Sequence, residues 1–426
     1  TVQVGQAGNQ VATAFWNVLQ KEMKQDSSSF TGTFFHSDGA ARAVLIDAEP
    51  KVVMGLSTKL DFYRKENVVY DQRGCGNNWA LGYYFGGTGA TSVDKQNALP
   101  LSGAIEERKS LAQRGLDALA KEIERTESVQ GIMVFLSLSG GTGSGVGSRI
   151  VEEIHKIYHL HNIPIMVVAV AAYSDGDTCL QHYNQLLALT SLQKNADAIL
   201  LFQNDVCMNA INKRSGTTIG EINDYIASCL VSCMLPIRKK GSSKPQRFDC
   251  SDFIRTLVPT PNMKFIEIHT SARGKQPTRM TSWQYIAEQF GKALPTYDLE
   301  KNPIKTIASI VYIRGKQVDD VNSLVEKKLI KSLKPVQWND EAVHVIKSKD
   351  KGFLSQDLKS VITVAANRSH LIEFFNHIMV RAHTLLSCKA YFLHYERYGA
   401  TMEVFRKAFN SMQRIILDYC EHIIEE

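Results

Sequence analysis

The sequence predicts an α/β protein: a doubly wound parallel sheet, a smaller mixed α/β second domain and a C-terminal helical hairpin. Three observations carry that prediction. Apolar runs of strand length alternate with stretches of helical periodicity through the first half, the pattern of β–α–β units. After Pro259-Thr260-Pro261 the spacing changes and helical stretches become fewer. From His370 to Glu426 two long helical segments follow, parted near Tyr398-Gly399-Ala400. The expected divisions are 1–218 (Rossmann-like domain), 219–245 (core helix and connecting loop), 246–367 (intermediate mixed-sheet domain) and 368–426 (C-terminal helices).

In order, Val2–Val4 reads as a short strand, followed by a Gly-rich turn and a helix near Val11–Lys24. Ala43–Ile46 is a strand ending at Asp47, and Ile132–Leu138, Ile165–Ala171 and Ile199–Phe202 are further apolar strands with helical stretches between them. A helix over roughly Gly220–Met234 leads into a basic loop. Strands near Lys264–His269, Ile307–Ile313 and Val361–Ala366 belong to the second domain. In a parallel sheet of this kind ligands sit beyond the carboxyl ends of the strands.

The most informative segment is Gly131–Tyr158. The strand Ile132–Leu138 runs into Ser139-Gly140-Gly141-Thr142-Gly143-Ser144-Gly145, and Val146, Ile150 and Ile154 then recur at helical spacing. A glycine-rich turn opening a helix offers bare N–H groups at the positive end of the helix dipole, an anion site for which phosphate is the usual ligand. A purely structural tight turn is the plainer reading. The loop is not a P-loop, because Val146 stands where Lys would follow the last glycine. Asp175 and Asp177, after the next strand, keep a dinucleotide-type ribose contact open.

Composition bounds the function. At 426 residues, 44% apolar and 22% charged, the chain has enough material for two or three domains with cores, which excludes a mostly disordered chain. No apolar run approaches the ~18–20 residues of a membrane span. The opening TVQVGQAGNQ has no basic n-region or long apolar core and does not read as a signal peptide. Thr1 stands in a strand-like run with no initiator methionine, consistent with a few residues removed or left out. Eight cysteines without a CxxC pair read as reduced thiols of an intracellular protein. The net charge of +6 is mild, and its excess lies in Arg238–Arg247 and Arg273–Arg279, either solvated loops or contacts for an acidic partner. Without interleaved aromatics, these stretches do not predict nucleic-acid binding.

Polar motifs follow one strand after another: Gly5–Gln10 (GQAGNQ), Asp47-Ala48-Glu49-Pro50, Gly74–Trp79 (GCGNNW), the glycine loop, Asp177-Thr178 and Gln203-Asn204-Asp205. With them on one sheet edge, the chain resembles the tubulin family over nearly its whole length. GQAGNQ (5–10), RAVLIDAEPKV (42–52), GNNWALG (76–82), GGTGSGVGS (140–148), HYNQLLAL (182–189), LVPTP (257–261) and KAYFLHYERYGATMEVF (389–405) carry the resemblance.

The resemblance implies a GTP/GDP-binding subunit of a microtubule-type polymer with Mg²⁺ as cofactor. Gln6 would lie beside phosphates and metal, with Ala7 next to it where many relatives have Cys. Asp47 and Glu49 would approach the metal and its waters, in keeping with the oxygen ligands Mg²⁺ prefers. Asn77 and Ser139, Gly140, Gly141, Thr142 and Gly143 would hold the phosphates, Ser139 replacing the usual first glycine. Asp177 and Gln181 would stand at the ribose, Gln181 in place of the usual Glu. Asn204 and Asn223 would read the guanine edge, and Ile219 replaces the aromatic expected to stack on the base. Asp252, with Asp249 one turn earlier, would complete hydrolysis in the nucleotide site of a neighbouring subunit, at the far end from the chain's own nucleotide.

The plainer readings are turn- and cap-forming asparagines, a solvated Asp47–Glu49 turn, and Asp249 and Ser251-Asp252 as the start of a helix. The implied partners are other tubulin subunits in longitudinal head-to-tail contact and microtubule or centriole proteins, in the cytoplasm and cytoskeleton. The ending EHIIEE in place of a long acidic tail, together with ARAVLIDAEPKV and GCGNNWALGYY, is similar to the delta/zeta-type tubulins of centrioles and basal bodies. KNADAILLFQND has a gamma-like flavour, so a microtubule-nucleating role is the alternative, as is a nucleotide-locked adaptor that never hydrolyses. A Rossmann enzyme using NAD would leave the Asn-rich loops and Asp252 without a role. His155, His159 and His161 have a spacing a metal could use but read as a solvated helix end. Cys229 and Cys233, one helical turn apart, read as core-facing thiols.

Overall fold

A computed structural model of the chain describes residues 1–24, 33–86, 109–174, 176, 178–211, 216–237, 245–271, 282–298, 300–315, 318–321, 323–349 and 360–424. The fold is α/β and contains two compact units, one comprising Thr1–Ala12, Gly32–Asp197 and His377–Gln413, the other Thr13–Thr31, Ala198–Asn376 and Arg414–Glu426.

In the first unit β1 (Val2–Val4), β2 (Val44–Asp47), β3 (Val68–Tyr70), β4 (Ile132–Ser137) and β5 (Ile165–Ala171) form a parallel sheet in the order β3-β2-β1-β4-β5. Val2 stands opposite both Val44 and Val134, and Ile132 opposite Ile165. Strands β1, β2 and β5 are buried along their whole length, as expected of parallel strands covered on both faces. Helix α3 (Leu111–Glu124) starts where the Ser110 hydroxyl accepts from Gln113 N–H at 3.1 Å. It buries Leu111, Leu116 and Leu119, and Gly115 lets its backbone approach Ile46 of β2. Helix α4 (Gly147–Tyr158) buries Ile150, Val151 and Ile154 on one stripe. Between them in the chain, β4 ends at Ser137.

In the second unit β6 (Ala198–Gln203) pairs parallel with β7 (Phe265–Thr270). Strand β10 (Ser360–Arg368) runs antiparallel to both β7 and β8 (Thr306–Gly315), and β9 (Val343–Ser348) lies parallel to β8. Trp283, Ile286 and Phe290 of α9 (Trp283–Ala293) and Val325 and Leu329 of α10 (Ser323–Leu333) join Val311, Ile313, Ile362 and Val364 in one core. Helix α7 (Ile219–Met234) opens with a capping box between Thr218 and Glu221. At its other end the buried Arg314 guanidinium donates to the carbonyls of Ser232, Leu235 and Pro236 at 2.9–3.1 Å, satisfying acceptors that a helix end leaves open. Among the described residues no helix is long and apolar enough to cross a membrane.

Three local features differ from the sequence-based expectation. Helix α1 (Gly5–Met23) begins directly after β1, six residues before the expected Val11, because Gly5 makes the turn alone at φ 74°. The segment after Gly141 is itself helical, with a π-turn over Thr142–Val146, and a second π-turn spans Leu81–Phe85. Strands β3 and β9 were not expected. Both are edge strands, and neither is fully buried, so they lack the apolar runs that mark the central strands. The basic stretches 238–244 and 273–279 lie outside the described residues.

Candidate functional site

Every strand of the first sheet is parallel, so the carboxyl ends of β1, β2, β4 and β5 share one edge. The strand order reverses between β1 and β4, the crevice where doubly wound sheets bind ligands. The turn after β1 and the glycine segment after β4 meet there. A β-carbon on Gly5 would lie 2.8 Å from Gly143 N, and one on Gly143 would lie 2.8 Å from Ser137 N. A β-carbon on Gly8 would lie 2.5 Å from the Phe135 carbonyl oxygen. Glycine is therefore a steric requirement at this crossing. Asn9, buried, ties the turn to the next strand by donating to Gly5 O (2.9 Å) and Ile46 O (3.1 Å).

The Gly74–Trp79 loop braces the glycine segment from the other side. A β-carbon on Gly141 would lie 2.7 Å from Asn78 N and 2.8 Å from Cys75 Cβ, with the Cys75 carbonyl closer still. The two π-turns interlock in the same way, since a β-carbon on Gly145 would lie 2.8 Å from Gly82 Cα and from Tyr83 N. Such turns recur at functional sites. Gly140 differs: its β-carbon would meet only Asn77 Oδ1, at 3.9 Å. Asn77 takes a left-handed conformation with φ 51° and is exposed, while Ser139, Gly141 and Gly143 are buried and Gly140 and Thr142 half-buried. The first N–H groups of the helix that starts at Gly141 lack intrahelical partners by geometry and are available to an anion.

Asn184, a residue without a role in the sequence-based reading, organises this cradle. From the buried face of α5 (Gln181–Asn195) its Nδ2 donates to Ser139 O (2.7 Å) and Asn77 O (2.8 Å). Its Oδ1 accepts from Trp79 N–H (2.8 Å) and Tyr395 O–H (2.7 Å). One amide thus fixes both walls. The available signal was an Asn among apolar residues in HYNQLLAL, which needs partners if buried. Asn78 acts similarly, accepting from Ala80 N–H (2.8 Å) and donating to His394 O (3.0 Å).

At the end of β2, Asp47 is buried. One carboxylate oxygen accepts from Glu49 N–H at 3.4 Å, and the other, Oδ2, has no hydrogen-bond partner. Burial pushes its pKa up to about 6, partly countered by the Glu49 and Ala48 N–H groups. Glu49 is exposed at the start of α2 (Pro50–Lys59), and Gln6 is exposed on the first turn of α1, with Ala7 half-buried. A buried carboxylate oxygen without a partner, flanked by an exposed carboxylate, suits a hard divalent cation such as Mg²⁺. At the end of β5, Gln181 is buried. Its Nε2 donates to Tyr173 O (3.2 Å) and Ser174 O (3.3 Å), which leaves Oε1 as an unpartnered acceptor. Asp177 lies outside the described residues.

In the second unit, half-buried Asn204 starts α6 (Asn204–Ile211) at the end of β6, and half-buried Asn223 stands in the first turns of α7. Ile219, 63% exposed, begins α7. Asp249 and Asp252 stand at the start of a helix. Asp249 caps α8 (Cys250–Leu257), its carboxylate accepting from Asp252 N–H at 3.0 Å. Asp252 is exposed in the first turn and pairs with exposed Arg255 at 2.9 Å. Cys229 and Cys233 are buried. His155 and His159 stack at 5.0 Å, and among the described residues no cluster of three or more His, Cys, Asp or Glu is arranged to hold a metal.

Residues 1–98 and 95–212 match the GTPase domain of the tubulin/FtsZ family. Tubulin delta chains of Macaca fascicularis and Homo sapiens are each 26% identical to this chain over 481 residues, covering 99% of both sequences. A nucleomorph tubulin beta chain of Guillardia theta is 26% identical over 454 residues, covering 99% of this chain and 95% of the relative. The matched GTPase domain occupies the segments that build the glycine cradle, and the similarity runs from end to end: the chain belongs to the tubulin family, as a divergent member similar to delta tubulin chains.

Proposed function

We propose that this chain is a GTP-binding structural subunit of microtubule-based assemblies, working at centrioles or basal bodies. The observation that carries the nucleotide reading is the cradle at the β1/β4 crossing, where Gly5, Gly141 and Gly143 pack too closely for any side chain. Its helix-start N–H groups would bind phosphate, with Asn77 and Thr142 adding polar contacts. Gln181 Oε1 would accept from a ribose hydroxyl. Asn204 and Asn223 would pair with the base, since an amide offers donor and acceptor together. The cytoskeletal setting rests on the relatives, named as tubulin delta and beta chains. Partners would be other tubulin subunits stacked head to tail.

Chromatography of the nucleotide released on gentle denaturation tests this reading. Guanine nucleotide is the expected result, and recovery of NAD would overturn it. Asn223→Ala should lower the preference for GTP over ATP, because each mismatched buried polar group loses about 1–3 kcal/mol. Localising the tagged chain in ciliated cells tests the centriolar part, and exclusion from centrioles and basal bodies would remove it. A second reading, an adaptor that binds nucleotide without hydrolysing it, requires that Arg255 keep the Asp252 carboxylate when a neighbour docks.

Asp47, Glu49 and Gln6 would hold Mg²⁺ and its waters, and the ion would neutralise phosphate charge. Asp47 must be ionised to do so, and its pKa of about 6 sets the pH at which protons compete. Magnesium affinity should therefore be flat above pH 7 and fall up to about tenfold per unit below pH 6. Asp47→Asn should remove that dependence and weaken Mg²⁺ at every pH. Isothermal titration across pH 5–8 reads both, and an unchanged pH profile in the variant would exclude Asp47 from the metal site.

A further inference from the structure

Four charged or titratable side chains meet in the second unit. Glu267 and His269 lie two residues apart on β7, on one face of the strand. Arg368 ends β10, whose Ala366 stands opposite Glu267, and His370 directly precedes α11 (Leu371–Ser387). Glu267 and Arg368 are 3% and 1% exposed, and His269 is 9% exposed. His370 Nδ1 lies 2.7 Å from Glu267 Oε1, a direct hydrogen bond. Arg368 Nη2 donates to Pro295 O at 2.6 Å.

The other half of the cluster is incomplete. Glu267 Oε2 stands 3.9 Å from His269 Nε2 and 4.0 Å from Arg368 Nη1, too far for hydrogen bonds. Glu267 Oε2, His269 Nε2, and Arg368 Nε and Nη1 are all buried without a hydrogen-bond partner. Four such atoms in one place carry a large desolvation cost unless something completes them. Gaps near 4 Å between an acceptor and two donors are what one water bridges when its hydrogen bonds meet at roughly a right angle. An anion is disfavoured by the carboxylate, and a cation by the guanidinium.

We propose that Glu267, His269, Arg368 and His370 form a hydrated charge latch that ties the entry of α11 to β7, engaged while His370 carries its proton. Protonated His370 donates a charge-assisted bond to Oε1, while the bound water accepts from Arg368 and His269 and donates to Oε2. Burial opposes charge on both partners. Even so, Glu267 holds His370 above the usual histidine range, and His370 and His269 hold Glu267 well below the carboxylate range. The groups facing the pair are His269 from β7, Arg368 from β10, Glu373 from α11 and the phenol of Tyr419 from α12 (Met402–Ile424). The phenol stays neutral throughout. A histidine with a raised folded-state pKa gives stability that is complete below about pH 6.5 and is lost as pH rises through the raised value.

The test uses the full chain. Histidine-selective NMR titration should place His370 above 6.5 and move it down in Glu267→Gln, where burial and Arg368 are no longer offset by the Glu267 charge. Thermal unfolding from pH 5.5 to 8.5 should show a melting temperature that falls more steeply in the wild type than in His370→Gln, with the two curves converging at high pH. Glu22, raised to about 7 by burial, titrates in the same window, so the difference between the curves is the readout. Parallel curves would overturn the latch, as would a His370 titration near or below 6.5. If Glu267→Gln does not fold, the wild-type titration and His370→Gln still decide. A crystal structure should show one solvent molecule bonded to Glu267 Oε2, Arg368 Nη1 and His269 Nε2, and direct closure of the guanidinium on the carboxylate would overturn the hydrated form.

Discussion

Gly141→Ala is expected to strip nucleotide from the folded chain, whereas Gly140→Ala, one residue earlier, should retain it. The two positions share the same motif but differ in what a methyl group would strike. At Gly141 it would meet the backbone of Cys75 and Asn78 at contact distances that real side chains do not show, and neither neighbour can swing aside. Asn78 is fixed by its bonds to Ala80 and His394, and the Asn77 carbonyl is held by Asn184. The strain must open the cradle, either moving the Gly74–Trp79 loop outward or tilting the first turn of the helix. Overpacking of this kind costs about 1–3 kcal/mol, equivalent to as much as about 100-fold in affinity if it falls on the bound state. At Gly140 the nearest atom is the end of the Asn77 side chain at 3.9 Å, and backbone φ there is not in the left-handed region. Nucleotide content per folded chain, with folding checked by circular dichroism, measures both variants. Equal retention would mean that the close packing serves the fold alone, and equal loss would mean that Gly140 carries a contact the free geometry hides.

The central strands and the glycine cradle were legible because their physics is local. Val44–Asp47, Ile132–Ser137 and Ile165–Ala171 are apolar runs bounded by turn residues, and a parallel buried strand leaves that signature in sequence. Gly5 and Gly143 could be read as a phosphate loop, but Gly5 must be glycine because of a contact with Gly143, more than a hundred residues later in the chain, while Gly143 is confined by Ser137 at the end of its own strand. Asn184 was missed for the same reason: its four partners come from three distant segments, and its place in α5 signals only that it needs partners if buried, not which ones. The Glu267 cluster was equally hidden. Glu267 and His269 alternate with Ile266 and Ile268, the pattern of a half-solvated strand, yet β7 is buried throughout. Only the arrival of Arg368 and His370 from a hundred residues away makes that burial tolerable. Asp249 shows the opposite case, since FDCSDF carries an ordinary helix-start signal and Asp249 does cap a helix.

Asp252→Ala should leave nucleotide bound but abolish any phosphate release stimulated by assembly, and the dilute wild-type chain should hydrolyse GTP very slowly. Asp249 and Asp252 were paired as candidates, and their surroundings now separate them. The Asp249 carboxylate is occupied by the Asp252 N–H as a helix cap, so Asp249→Ala should cost about 1 kcal/mol of stability while Asp249→Ser keeps the cap. Asp252 projects from the first turn of α8 into solvent, with Arg255 as its partner. Exposed pairs of this type contribute little and are readily exchanged, so a docking neighbour can take either group. If a stacked subunit presents its nucleotide to this helix, the carboxylate can orient water while phosphate oxygens draw off the guanidinium, and hydrolysis becomes conditional on assembly. Losing a group that positions the attacking water typically costs about 10²–10⁴-fold in rate. Phosphate release should therefore rise with chain concentration in the wild type and in Asp249→Ser, and stay at the dilute baseline in Asp252→Ala. Turnover by the dilute chain that is fast and indifferent to Asp252 would place the water-orienting group within the subunit itself and remove the coupling.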